Sequence, residues 1–194
     1  MEDYNKIIES LGVKFIKARN IRILQPIRIK NYYDVENSLL ILYKGEVSFG
    51  EEDTPVEEGD MLFIPGGKMV SVTYGNAEKP KAVNNEEFMT HRELYFDLNM
   101  ESHNIGAHDN SFGMVAFEAK VFDSVNFFTS LDIPPFLIKK DEKLAQTIKE
   151  ILLEEIKNEK DFVAGLKPKL PDSIKWDNVE ELDKKLESVH EGLY

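Results

Sequence analysis

The sequence predicts a mainly β domain, an antiparallel barrel or sandwich, followed by amphipathic helices. From about residue 20 to residue 138, apolar and polar residues mostly alternate with period two between turns rich in Gly, Pro, Asn and Asp. After residue 140 the apolar residues instead recur with the period of a helix. The 194 residues suit one large β domain, or one domain of about 100–150 residues with an appendage.

The first elements are an opening helix and two strands. Residues 3–11 carry apolar side chains at helical spacing and are predicted to form a short helix. Beyond residue 20, four isoleucines alternate loosely with basic residues: Ile21, Ile23, Ile27 and Ile29. Pro26 among them indicates an edge strand or a bulge. The run 38–49 is too apolar for one solvated face, so it is predicted as a strand buried on both sides.

Further strands follow at short spacing. Residues 61–64 and 69–74 are predicted as strands on either side of Pro65-Gly66-Gly67. Regular alternation predicts two more, over 94–100 and 115–121. Many short strands separated by turns are typical of an antiparallel barrel or sandwich.

The C-terminal part is predicted to be helical. A helix is expected behind Asp141-Glu142, whose acidic side chains suit a helix N-terminus. Its apolar face consists of Leu144, Ile148, Ile151, Leu152 and Ile156. The Gly- and Pro-containing stretch 165–171 reads as a linker. A second helix is predicted from about Asn178, with Asp177 as its cap.

Charge and composition exclude several classes of function. The chain has 24 basic and 36 acidic residues, a net charge of −12, and its four arginines are Arg19, Arg22, Arg28 and Arg92. Clustered Lys and Arg are the usual phosphate contacts, so this chain by itself is expected not to bind duplex DNA. The absence of cysteine excludes disulfides, thiol catalysis and thiolate metal sites. The sequence shows no apolar run of membrane-spanning length and no basic, apolar leader, which predicts a cytoplasmic protein.

One motif combines glycines and a proline at fixed spacing. Gly45 follows a strand, and fourteen residues later Gly59-Asp60 opens a tight turn into an apolar strand that Pro65 and Gly67 terminate. This G-x5-P-x-G pattern resembles the second half of the cupin motif, and with its flanking strands the resemblance covers roughly residues 20–125. It implies a cupin (jelly-roll) β-barrel. The alternative is a generic hairpin with a glycine-rich turn.

The ligand positions of metal-binding cupins are not filled by histidine here. The resemblance places one ligand at Val70 and the others within 31–38, where the only candidates are Asp34 and Glu36. Zinc, iron and manganese sites of this type need imidazole donors, so we predict no metal, no cofactor and no catalytic residues. The four histidines, His91, His103, His108 and His190, match no part of the motif. One equivalent of iron, zinc or manganese in the purified protein would instead favour a cupin oxygenase or isomerase.

A metal-free cupin followed by amphipathic helices resembles the N-terminal region of AraC-type transcriptional regulators. Four features carry the resemblance: the 38–49 strand, the 58–60 turn with Pro65, the segment 131–136 and the helix 144–156. The family implies a small-molecule effector in the barrel, a helix that pairs two subunits, and a C-terminal domain that reads DNA through two helix-turn-helix motifs. Residues 182–194 resemble the first helix of that domain, so the natural chain is expected to continue for about 90–100 residues.

The resemblance divides the chain into five parts: an N-terminal arm or short helix (1–19), the sensor domain (20–138), a dimerisation helix (139–164), a linker (165–177) and the start of the missing DNA-binding domain (178–194). A homodimer would form through the helix stripe that begins at Leu144. The alternative is that this stripe packs onto its own barrel. A free-standing small-molecule-binding cupin is a further alternative to the regulator.

The effector is expected to be a sugar, an aromatic compound or a fatty acid. Polar side chains on the predicted strands are the candidate contacts: Arg22, Arg28, Tyr43, Tyr74, Arg92 and Tyr95. Each could instead be an exposed strand residue or a core tyrosine with a satisfied hydroxyl. Arg92 and Tyr95 have odd spacing, so at most one of them should point inward from a strand.

Overall fold

The computed structural model describes residues 11–76, 78–98, 110–121, 125–130 and 133–146, together with residues 166 and 169. The strands in this part of the chain are β1 (Leu11–Ile23), β2 (Ile27–Tyr32), β3 (Asn37–Lys44), β4 (Val47–Phe49), β5 (Thr54–Val56), β6 (Met61–Ile64), β7 (Val70–Tyr74), β8 (Lys81–Asn84), β9 (Phe96–Asp97), β10 (Ser111–Val121), β11 (Val125–Asn126) and β12 (Phe136–Ile138). The helical elements are α1 (Asn85–Thr90), a 3-10 turn (Arg92–Leu94), α2 (Phe127–Ser130) and a turn of helix at 142–146. The prediction of a mainly β protein is confirmed.

The strands form two sheets that pack as a sandwich. Sheet I has the order β12-β6-β3-β10-β1-β9, with β11 also paired to β10, and sheet II has the order β5-β4-β7-β2-β8. The strand pairs are antiparallel except for β2 and β8, which run parallel. Consecutive strands therefore often lie in different sheets, which joins the two layers through their turns.

Sheet I is buried on both faces. The inner core lies between the sheets and includes Ile21, Ile29, Leu40, Leu62, Val72 and Phe112. The outer core lies on the other face of sheet I and includes Leu39, Phe63, Val115, Phe117, Phe128 and Leu144. Alternate side chains of β3 enter the two cores, and the prediction of a strand buried on both sides is confirmed there.

The run 38–49 is nevertheless two strands and not one. It divides at Gly45, whose φ of 100° is the left-handed conformation that glycine adopts readily. The chain leaves sheet I at this turn and enters sheet II as β4, where Val47 joins the inner core. Hydrophobicity alone did not reveal the division because both strands are buried.

β1 begins earlier than the alternation predicts. It pairs with β10 from Leu11, opposite Val121, to Arg22, opposite Ser111. Residues 11–19, predicted as part of an arm, therefore belong to sheet I. Of the predicted helix at 3–11, residues 1–10 lie outside the described residues, and Leu11 is the first residue of the strand.

The predictions of strands at 61–64 and 69–74 are confirmed, with the second beginning at Val70. The prediction over 115–121 is also confirmed, and β10 extends it back to Ser111. The predicted strand over 94–100 is wrong. Backbone hydrogen bonds to His91 and Arg92 close a 3-10 turn, which leaves Leu94 exposed and buries Tyr95. Of the described residues in this range only Phe96–Asp97 forms a strand, and residues 99 and 100 lie outside the described residues.

Asp60 ties the cupin-like turn to the end of sheet I. Its buried carboxylate accepts hydrogen bonds from the backbone N–H of Lys140 (2.9 Å) and of Glu57 (3.2 Å), and lies 3.4 Å from Nζ of Lys139. Gly59 precedes it with a φ of 90°. The predicted tight turn is present, and it also fixes the segment that leads into the C-terminal helix.

The described start of that helix packs onto its own sheet. Asp141 caps it, because its Oδ1 accepts a hydrogen bond from the N–H of Leu144 at 2.9 Å. This bond and the nearby Lys169 ammonium lower the pKa of Asp141. Leu144 and Leu166 are buried in the outer core, and Lys169 lies 2.9 Å from Asp141, so the start of the predicted linker contacts the β domain.

The remainder of the predicted C-terminal organisation lies outside the described residues. This applies to the stripe positions Ile148, Ile151, Leu152 and Ile156 and to the helix predicted from Asn178. In the part of the chain that is described, no helix has both the length and the hydrophobicity needed to cross a membrane.

Candidate functional site

A small cavity opens at one end of the space between the two sheets. Its walls come from β1 and β10 of sheet I, β2 and β7 of sheet II, and the segment formed by α1 and the 3-10 turn. The volume of the cavity is about 40 Å³. It can therefore hold a few water molecules or a small group without rearrangement.

The inner wall of the cavity is largely aromatic. Phe88, Phe96 and Phe112 line it beside the ring of Tyr74. The Tyr74 ring stacks on Phe112 with centroids 5.1 Å apart, and it meets Phe96 edge to face at 4.9 Å. These contacts fix the position of the tyrosine ring within the inner core.

The rim of the cavity is basic. Lys17, Arg19 and Arg92 line it together with one carboxylate, Asp34. Among the described residues no acidic side chain lies within 4.0 Å of any of these three cations. Asp34 instead accepts a hydrogen bond from the backbone N–H of Glu36. Within the described part of the chain, these three cations and one carboxylate give the opening a local excess of positive charge, although the net charge of the whole chain is −12.

A β-bulge directs two of these cations into the cavity. The register between β1 and β10 shifts between Phe15 and Lys17, which makes Ile16 the extra residue. Before the bulge, Phe15 packs against the outer core, whereas after it Ile21 faces the inner core. One extra residue reverses the faces of a strand, so Lys17 and Arg19 line the cavity instead of the outer core.

Two tyrosines line the same space, Tyr32 and Tyr74. Burial, and secondly the negative charge of Asp34, raise the pKa of Tyr32 to about 12. Burial and the neighbouring Tyr32 raise the pKa of Tyr74 still further above its ordinary value. Both phenols are therefore neutral at physiological pH and can donate a hydrogen bond to a ligand.

Of the candidate contacts named from sequence, Tyr74 and Arg92 line this cavity. Tyr95 is 1% exposed and packs beside Phe88, but it does not line the cavity. Arg92 belongs to the 3-10 turn, so the strand spacing used to relate it to Tyr95 does not apply.

The other three candidates lie elsewhere. Arg22 is exposed on β1, one position beyond the inward-facing Ile21. Arg28 forms an ion pair with Asp53 at 2.7 Å and also donates to Thr73 Oγ1 at 2.8 Å.

Tyr43 is not a cavity residue but a tyrosine with a satisfied hydroxyl, which the sequence analysis gave as the alternative to a ligand contact. Its hydroxyl donates to Asn20 Oδ1 at 2.8 Å, and its ring packs against the outer core. Burial raises the pKa of Tyr43 as well. Its position separates it from the cavity, which lies on the inner side of sheet I.

Sequence reasoning missed Lys17, Arg19, Tyr32 and Asp34. For Lys17 and Arg19, the sequence contained a pattern that could have predicted their position. The alternation that places Ile21 and Ile23 on one face continues backwards through Arg19 and Lys17, which predicts two cations on an otherwise apolar face.

The described residues contain no group of three or more His, Asp or Glu side chains arranged to hold a metal ion. Val70, at the cupin ligand position, is buried at the start of β7 and contributes to the inner core. His91 is exposed, and the other three histidines lie outside the described residues.

No protein-family model matches this sequence, and neither does any curated protein. Among solved structures, a single-substitution variant of apo ToxT from Vibrio cholerae strain SCE256 is similar, with a TM-score of 0.43 and 6% identity over 82% of this chain and 54% of that one. ToxT from Vibrio cholerae O395 gives a TM-score of 0.42 and 11% identity over 88% of this chain and 59% of that one. Hazelnut (Corylus avellana) vicilin is more distant, with a TM-score of 0.27 and 11% identity over 74% of this chain and 42% of that one. The chain spans less than two thirds of each of these proteins.

Proposed function

We propose that this chain is a ligand-sensing region that binds a small anionic molecule with an apolar body in the cavity between its sheets. The observation that carries the proposal is a set of three cations at the rim of an aromatic cavity, Lys17, Arg19 and Arg92, none of which pairs with an acidic side chain among the described residues. In a chain with this excess of acidic residues, unpaired basic side chains that converge on one opening favour a ligand of opposite charge.

The arrangement separates the two parts of such a ligand. The rim offers charge-assisted hydrogen bonds to a carboxylate, and each arginine can bind its two oxygens together. The wall formed by Phe88, Phe96 and Phe112 receives the apolar part. Ligand sites commonly combine an apolar wall with a few convergent polar groups that fix orientation. Of the effector classes expected from sequence, this chemistry favours the aromatic or fatty acids over a neutral sugar.

The wider role that we propose is the one implied by the AraC-type resemblance. The motif from Gly45 to Gly67, the two-sheet β sandwich and the amphipathic stripe that begins at Leu144 support the proposal of an effector-binding and dimerisation region without enzymatic activity in a cytoplasmic regulator. DNA binding would reside in a C-terminal domain beyond Tyr194. A natural reading frame that ends at Tyr194 would contradict the regulator and leave the free-standing binding module.

Loss of one rim cation is expected to weaken ligand binding. Arg19→Gln should reduce the affinity for benzoate and octanoate about tenfold or more, because a hydrogen bond between charged groups contributes roughly 1.5–3 kcal/mol. Arg22→Gln is the matched control, since Arg22 lies on the same strand, is exposed and does not line the cavity. Isothermal titration calorimetry of both variants measures the difference.

The uncharged methyl esters of the two acids test the same proposal from the ligand side. They should bind much more weakly than the acids to the unmodified protein. Esters that bind as tightly as the acids, or equal affinities in the Arg19 and Arg22 variants, would show that the rim does not recognise an anion.

We also propose that the chain forms a homodimer through the helix stripe that continues from Leu144. Leu144 itself is buried in its own outer core, so its substitution would disturb the fold. Ile148, one turn further along the sequence pattern, is the better test position. Ile148→Glu is expected to convert a dimer into a folded monomer in light scattering, because a charge would be placed in an apolar interface. A dimer that survives this change, or a monomeric parent protein at tens of micromolar, contradicts the assignment.

A further inference from the structure

Tyr74 is a buried residue whose hydroxyl has no role in the proposed anion site. Tyr74 is 5% exposed and lines the cavity. Its hydroxyl has no hydrogen-bond partner among the residues that the structure describes. The hydroxyl is not one of the fully buried polar atoms that lack a partner, so it is accessible from the cavity that Tyr74 lines, where water or a ligand can reach it.

The ring of Tyr74 is held firmly, so the hydroxyl has little freedom to move to a partner elsewhere. Stacking on Phe112 and the edge contact with Phe96 fix the ring on two sides. The half-buried Tyr43 provides a contrast in the same protein, because its hydroxyl is satisfied by Asn20 at 2.8 Å. The partner of Tyr74 is therefore best supplied from the cavity, by water or by a ligand.

We propose that Tyr74 is a specificity-determining residue that hydrogen-bonds a polar ring substituent of a small aromatic acid. This inference rests on the proposed function, because it assumes that the rim holds the carboxylate. Tyr74 then contacts a second oxygen, a hydroxyl or a carbonyl, on the body of the ligand. The phenol remains protonated at physiological pH and acts as the donor.

The shape of the cavity supports a short, flat ligand. Among the described residues five aromatic rings line it, from Tyr32, Tyr74, Phe88, Phe96 and Phe112, and flat rings pack well against one another in stacked or edge-to-face arrangements. The space of about 40 Å³ admits only a small group with the side chains in their present positions, so one substituted ring requires the lining side chains to move, and a long alkyl chain requires larger movements.

Benzoate and its three monohydroxy isomers are suitable probes, because together they place the hydroxyl at every distinct ring position. We expect at least one isomer to bind the unmodified protein about tenfold more tightly than benzoate, as a site built to pair a hydroxyl discriminates against the analogue that lacks it. In Tyr74→Phe the ratio of the two affinities should fall to about one. Tyr43→Phe is the matched control and should retain the ratio of the parent protein.

The outcomes separate this inference from the proposed function. If benzoate and its isomers bind through Arg19 but with equal affinities, or if Tyr74→Phe weakens all four acids by the same factor, the specificity role is overturned and the anion site stands. If neither octanoate nor benzoate nor any of the hydroxybenzoates binds the folded protein, both proposals fail. A circular dichroism spectrum identical to that of the parent protein establishes that each variant is folded.

Discussion

Gly66→Ala is expected to lower the free energy of unfolding by about 3 kcal/mol, at the upper end of the usual cost of overpacking. The new Cβ would overlap the backbone oxygen of Val35 and lie 3.1 Å from its carbonyl carbon. The backbone has little room to retreat, because the Gly66 N–H donates to Asn37 Oδ1 at 2.9 Å. The next residue, Gly67, donates its N–H to the carbonyl oxygen of Asp34 at 2.8 Å.

Gly50→Ala provides the matched control for this prediction. Gly50 has a φ of 80° and no heavy atom within 4 Å of an added Cβ. Its substitution therefore carries only the backbone strain of the left-handed conformation, about 1–2 kcal/mol. Urea denaturation of the three proteins measures the difference. Equal losses in both variants would mean that the contact between the loops at Gly66 and Val35 is looser than described.

Phe63→Ala is expected to destabilise the protein by about 3–5 kcal/mol, the usual cost of removing a buried aromatic side chain. Phe63 is fully buried in the outer core. Its ring centroid lies 4.7 Å from that of Phe128, 4.9 Å from Phe136 and 5.8 Å from Phe117. The cavity left behind would border three other rings, which cannot all close around it.

The control for Phe63 is Val35→Ala, since Val35 is 73% exposed and its truncation should change stability by less than about 0.5 kcal/mol. Because Phe128 packs on sheet I and Phe136 lies in its edge strand β12, Phe63→Ala should also make the chain beyond β10 easier to cleave in limited proteolysis. A loss of stability below 1 kcal/mol would contradict the description of the outer core.

Local pattern was sufficient to predict β2, β3, β6, β7 and β10 and the two-sided burial of β3. It did not predict β5, β8, β11 and β12, which are only two to four residues long and show little alternation. It could not predict that Gly45 separates two strands of different sheets, because both are apolar and only their partners distinguish them. It also assigned Leu94 and Tyr95 to a strand by alternation. Tertiary packing instead buries Tyr95 and leaves Leu94 exposed, which a 3-10 turn accommodates.

The cavity was harder to predict than the fold. Tyr74 and Arg92 were among the candidates, but they come from separate elements that meet only in the folded protein. The bulge at Ile16 puts Phe15 and Lys17 on opposite faces of β1, and nothing in the residue types around Ile16 specifies an extra residue there. The cupin-like pattern singled out Pro65 and Gly67, whereas the glycine between them is the one with the severe steric constraint.

The pairing of β1 with β10 has a consequence for the order of folding. Ile21 lies opposite Phe112 and Leu11 opposite Val121, so about a hundred residues separate the two strands along the chain. During synthesis β1 must wait for most of the β domain to leave the ribosome before it gains its long partner, and its apolar side chains stay uncovered for that time. Contacts between such distant residues are typical of slow folding, so the late closure of this loop is expected to limit the rate at which the cavity forms.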